Sequence, residues 1–167
     1  MNIKISSLLT IAICAFCITT SAQTADEILN SLSEQTKGYN TIDAKYSSSM
    51  SDWEVFTHGG TRSTGIKVKE FAKTMEENGA GEILLTSMDK DGVKDGYDIK
   101  LLKTITQLVH IPVIASGGAG KVEHFLEAVK DGGASALLAA SVFHFNEISI
   151  SEVKEFLKNA NVPMRMT

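Results

Sequence analysis

Cysteine is scarce: the 167 residues hold two, Cys14 and Cys17, and both lie in one apolar N-terminal run. Their C-x-x-C spacing imitates a redox or metal motif. The run around them reads as a secretory leader that would be removed, so neither chemistry is expected of them. Beyond it the chain lacks any stretch of 18 or more apolar residues, which excludes a membrane-spanning helical body. It also lacks a basic excess. The net charge is −4, whereas a nucleic-acid surface normally needs a basic face. The polar loop over residues 88–98 lacks the alternating acids and the twelfth-position glutamate of a calcium loop, counted from Asp89 or from Asp91. Histidines 58, 110, 124 and 144 show no ligand spacing and read as structural. No metal and no cofactor is expected.

What is present is the composition of a globular chain, 43% hydrophobic and 22% charged. Three segments are expected. Residues 1–23 have a leader's layout: "MNIK", then "ISSLLTIAICAFCI", then "TTSAQ" with cleavage after Ala22 or Gln23. Residues 24–40 suit a short helix capped by Thr24 and stopped by Gly38. Residues 41–167 carry the body. There "YNTIDAKYSSSM" opens with a strand, "WEVFT" is a second, and "HGGTRSTG" reads as a glycine-rich loop. "IKVKEFAKTMEEN" places Ile66, Phe71, Ala72 and Met75 at helical spacing, with Gly79 as the stop.

Three similar units follow. "GEILLTS", "IPVIAS" and "SALLAAS" read as strands, each followed by a loop and a helix, the last helix capped by Ser151. The strands are continuous apolar runs, which predicts that both faces are buried. Their alternation with helices, roughly every 25 residues, predicts an α/β fold with a parallel sheet, open or closed into a barrel.

Each of these strands ends in small or hydroxyl residues: Thr86-Ser87, Ser116-Gly117-Gly118 and Ala140-Ser141. The carboxyl ends of parallel strands form the ligand face of α/β folds. Glycines 117, 118 and 120 would let main-chain N–H groups reach an anion at the start of the following helix, and phosphate is the natural guest. Asp91-Gly92 either joins that face or is solvated loop.

"GAGEILLTSMDKDGVKDGYD", "IPVIASGGAGKVEHFLEA" and "ALLAASVFHFNEI" together resemble the second half of the cyclase-subunit (HisF) family of imidazole glycerol phosphate synthase, from Asp52 to about Met166. The resemblance implies the C-terminal half of a (β/α)8 barrel, since a complete one takes roughly 250 residues. It implies a ribotide substrate with a phosphate at each end and ammonia from a HisH-type glutaminase partner. The products would be imidazole glycerol phosphate and aminoimidazole carboxamide ribotide. By motif match the phosphate site is Asp91, Gly92, Gly118, Ala140 and Ser141. Thr86 and Ser116 line the same face, and Gly59-Gly60 sit in the loop after the family's fifth strand. The family's two catalytic aspartates act as acid and base. Asp43, in Ile42-Asp43-Ala44-Lys45, takes the place of the second, and the first has no counterpart because strands one to four are absent.

Such a half has open sheet edges and favours pairing with a second copy or a missing half. Residues 1–50 resemble instead the precursor of a LolA-like periplasmic lipoprotein carrier, which points to a fusion of two gene fragments. The cyclase resemblance implies the cytoplasm, the leader implies export, and the two conflict.

Overall fold

A computed structural model describes residues 39–48 and 51–166. The expected leader and residues 24–38 of the expected helical segment lie outside the described residues, while Tyr39 and Asn40, placed at the end of that segment, instead open β1. The elements run β1 (Tyr39–Ser47), β2 (Asp52–Thr57), β3 (Arg62–Lys67), α1 (Val68–Glu77), β4 (Glu82–Ser87), α2 (Ile99–Thr106), β5 (Val113–Ser116), α3 (Val122–Lys130), β6 (Ala136–Leu137), α4 (Ser141–His144) and α5 (Ile150–Asn159). They form one six-stranded sheet in the order β3-β2-β1-β4-β5-β6. Strands β1, β4, β5 and β6 are parallel, as the β/α alternation predicts. This part of the fold is an α/β arrangement consistent with a portion of a (β/α)8 barrel.

Two strands depart from the parallel pattern. β2 and β3 form an antiparallel hairpin on the far side of β1, so "RSTG", expected in a loop, and "IK", expected in a helix, are both strand. The corner is made by His58, Gly59 and Gly60, whose φ values of 55°, 63° and 79° are all left-handed. Thr61 N–H closes the turn on Thr57 O at 3.1 Å. Helix α1 therefore begins at Val68, and Ile66 is an exposed strand residue. The hairpin's register shifts between Glu54 and Phe56. Glu54 fills that irregularity: its buried carboxylate accepts from the Ser63 hydroxyl and from Gly65 N–H at 2.7 Å. The Ser63 and Gly65 donors hold it below the usual carboxylate range.

The core lies on one face of the sheet. Ile42, Ala44, Val55, Ile83, Leu85, Val113 and Ala115 are buried with Val68 and Ala72 of α1, Leu101, Leu102 and Ile105 of α2, Phe125 and Ala128 of α3, and Val153 and Leu157 of α5. Each large aliphatic removed from water this way stabilises by about 1.5–3 kcal/mol. The residues between them, Asp43, Leu84, Thr86, Ile114 and Ser116, are only half-buried. This corrects the expectation that both faces are buried. The runs are apolar on both faces, but among the described residues the helices cover one.

The last helix also starts earlier than expected. Its cap is Ser149, not Ser151: Ser149 Oγ accepts from Glu152 N–H at 3.1 Å and the Glu152 side chain reaches back, a reciprocal capping box. Ser149→Ala should lower stability by about 1 kcal/mol. Ser151→Ala should stay within about 0.5 kcal/mol of the parent. Urea-unfolding midpoints of the two variants check this.

Candidate functional site

Strands β4, β5 and β6 end side by side, and their following loops enclose a cleft of about 240 Å³. Asp91, Gly92 and Lys94 come from the loop after β4. Ser116, Gly117, Gly118 and Ala119 come from the end of β5, and Leu138, Ala139, Ala140 and Ser141 from the chain after β6. Pockets for drug-sized molecules run to about 300–1,000 Å³, so this one suits a smaller group. Six of the residues that the resemblance assigns to the site, Asp91, Gly92, Ser116, Gly118, Ala140 and Ser141, share it, and so does Gly117. Among the described residues, the amides of Gly118, Ala119 and Ala140 donate to no main-chain oxygen, which leaves them available to an anion.

The glycines have a second and stronger reason to be there. Loop 88–97 folds back onto the turn after β5, and Gly96 N–H donates to Gly118 O at 2.8 Å. Gly118 has φ +109°, and a Cβ on it would overlap the Gly96 carbonyl. Gly117 has φ +87° and lies against Ser87 O, while a Cβ on Gly120 would overlap Lys94 O. Gly120 does not line the cleft, and its N–H donates to His124 Nδ1 at 3.2 Å. Its expected part in cradling an anion is thus overturned: its bareness serves loop packing.

The same loop is tied down at two further points that sequence reasoning missed. Asp98 caps α2, accepting from Leu101 N–H at 2.9 Å. Its other oxygen accepts from Trp53 Nε1 at 3.2 Å and Ser87 Oγ at 3.3 Å, joining β2, β4 and α2. An aspartate just before the apolar Ile99 was the available signal. Tyr97, buried, donates its hydroxyl to Leu138 O at 3.0 Å, so it spans from this loop to the β6 wall. Burial pushes its phenol well up from the usual tyrosine range. No local pattern marks Tyr97, because its partner is 41 residues away.

Asp43, Thr86 and Gly59-Gly60 do not line the cleft. Thr86 pairs in register with Asp43 on one side and Ser116 on the other. These three form one polar row on the half-buried face, placing Asp43 two strands, roughly 10 Å, from the cleft edge. Burial raises the Asp43 carboxyl above its ordinary value, and the charge of Asp91 raises it further. Gly60, at the hairpin corner, sits beside the side chain of Met88 just after β4. Among the described residues no helix is long and apolar enough to cross a membrane.

A largely parallel β/α sheet with a small, amide-lined cleft at its strand ends defines the class of this protein. The match is more particular. A family model described as "Histidine biosynthesis protein" matches residues 2–149, and the chain belongs to that family. Its relatives include proteins named imidazole glycerol phosphate synthase subunit HisF. That of Caulobacter vibrioides (strain NA1000 / CB15N) is 58% identical over 125 residues, 75% of this chain and 48% of the relative. That of Hyphomonas neptunium is 61% identical over 113 residues, 68% of this chain and 45% of the relative. That of Thermococcus gammatolerans is 57% identical over 125 residues, again 75% and 48%. The chain spans about half the length of the curated relatives it matches.

Gly118→Ala should cost more than about 2 kcal/mol, since it adds a side chain at left-handed φ and against main chain. Urea unfolding, with loss of hydrogen-exchange protection at Gly96 N–H, checks it. Asp43 carries the opposite sign. Its folded value is raised, so the folded state is disfavoured as pH rises through that value, and the penalty is absent below the ordinary value of 3.8. Asp43→Asn should therefore melt above the parent at pH 7, and the gap should close below about pH 3.8.

Proposed function

We propose that the chain is one half of a cyclase-type barrel, and that its cleft holds one phosphate of a phosphorylated ribotide. One observation carries this: the adjoining ends of β4, β5 and β6 bring Asp91, Gly92, Gly118, Ala140 and Ser141 around a single cleft of about 240 Å³. Free amides recognise a phosphoryl group without needing a strongly basic site. In this proposal the site residues are Asp43, Gly59, Gly60, Thr86, Asp91, Gly92, Ser116, Gly118, Ala140 and Ser141. The reaction is the one its relatives' name implies, closing an imidazole ring with ammonia supplied by a HisH-type glutaminase partner.

Asp43 is the proton-transfer group. Its raised pKa brings it closer to neutrality than an ordinary aspartate, which favours exchange of a proton with substrate. Thr86 and Ser116 continue its row toward the cleft and would contact the sugar between the two sites. The second carboxylate that ring closure needs comes from a complementing half.

Two features favour such a complement, or failing it a second copy. The β1 edge opposite β4 pairs with β2 only over Asp43–Ser47. Beyond β6, an apolar cleft of about 470 Å³ is lined by Phe125, Leu137, Phe143, Val153, Leu157 and Met164, among others. In this proposal residues 1–40 come from the exported precursor of a fusion, although the family match begins at residue 2, and sequencing genomic DNA across codons 35–55 tests that junction. A cyclase role favours the cytoplasm for the body, against the export that the leader-like segment suggests.

The chain alone should self-associate in sedimentation velocity and show little or no cyclase turnover. Mixed with the first four β/α units of the Caulobacter relative, it should gain ammonia-dependent turnover. Asp43→Asn should reduce that turnover by about 100-fold or more while phosphate binding persists. Full turnover by a monomer of this chain, or turnover unchanged in Asp43→Asn, overturns the assignment.

A further inference from the structure

Of the residues lining the cleft, Lys94 is the one cation and Asp91 the one anion. A cation there would be expected to serve the guest. Instead Lys94 Nζ is engaged at both carboxylate oxygens of Glu147, at 2.5 and 2.8 Å. Glu147 lies in the stretch between α4 and α5, 53 residues on. The pair therefore ties the loop after β4 to the segment that follows the β6 wall.

Both partners are well solvated, with side chains 39% and 40% exposed. The Lys94 main chain is fixed, with its carbonyl packed on bare Gly120 and its φ at +63°. Beyond it, the flexible four-carbon stem lets the ammonium change partner without moving the loop. An exposed ion pair is weak, shifting an equilibrium by about two- to five-fold. A phosphate dianion offers Lys94 a higher charge than one carboxylate does, and amides of the same cleft stand ready to share it.

We propose that Glu147 is a built-in competitor for the cleft's cation, so that an anion binds by taking Lys94 from Glu147. This deepens, and rests on, the assignment of the cleft as a phosphate site. Glu147 then sets how tightly the site holds its guest: it lowers affinity, and it supplies the returning partner when the phosphate leaves. Product carrying a phosphate is released more readily from a site whose cation has somewhere else to go.

The experiment is titration of the ¹⁵N-labelled full chain with inorganic phosphate, following the amides of Gly118 and Ser141. Four proteins are compared: the parent, Glu147→Gln, Lys94→Met, and the two combined. Glu147→Gln should bind phosphate about two- to five-fold more tightly than the parent. Lys94→Met should bind more weakly. In the Lys94→Met background, adding Glu147→Gln should change nothing, because the coupling between the two residues is then gone. If Lys94→Met does not fold, Lys94→Asn, better suited to left-handed backbone, replaces it. Equal tightening in both backgrounds would mean simple repulsion by Glu147 and overturns the competition. So does unchanged or weaker binding by Glu147→Gln. Failure of phosphate to move either amide in all four proteins overturns the phosphate site itself, a different outcome from a parent that binds and a Glu147→Gln that binds alike.

Discussion

The contact on which the site depends is main chain against main chain. Loop 88–97 lies directly on the bare glycines of the turn after β5, joined by Gly96 N–H to Gly118 O. Two backbones can approach that closely only where Cβ atoms are missing. Once the loop is seated, other contacts fall into place. Asp98 reaches Trp53 and Ser87, Tyr97 reaches Leu138, and Lys94 reaches Glu147. One loop thereby forms a wall of the cleft and braces the other two.

The sheet has two unequal faces, and the proposed chemistry sits on the weaker one. The helix side buries Ile42, Ile83, Leu85 and Val113 almost completely. The opposite side carries Asp43, Thr86 and Ser116 in one cross-strand row beside half-buried Leu84 and Ile114. A carboxylate in such a place is partly desolvated, and with Asp91 nearby its charged form is disfavoured twice over. That mixture of polar row and apolar surface is poor at standing alone in water. It is well suited to a second set of strands closing over it.

Much of this was legible in the sequence. The strands ending at Ser87, Ser116 and around Leu137, and the helices between them, follow from apolar runs broken by glycine and polar loops. The six cleft residues were legible because strand ends in a parallel sheet converge whatever their side chains are. Other features were not. "HGGTRSTG" looked like a loop because its glycines permit either a loop or a tight hairpin corner, and only pairing with β2 selects the hairpin. Ser149 and Ser151 are equally good caps locally; the choice turns on Glu152, which stands three residues after Ser149 and one after Ser151.

The sequence by itself determined the alternation of strand and helix and the chemistry available at each strand end, because both depend on residues close along the chain. Tertiary structure alone decided what the glycines are for, which face of the sheet is covered, and that Lys94 is held by Glu147. Those outcomes join residues dozens of positions apart, and no local pattern encodes a contact whose two halves are selected by the packing of everything between them.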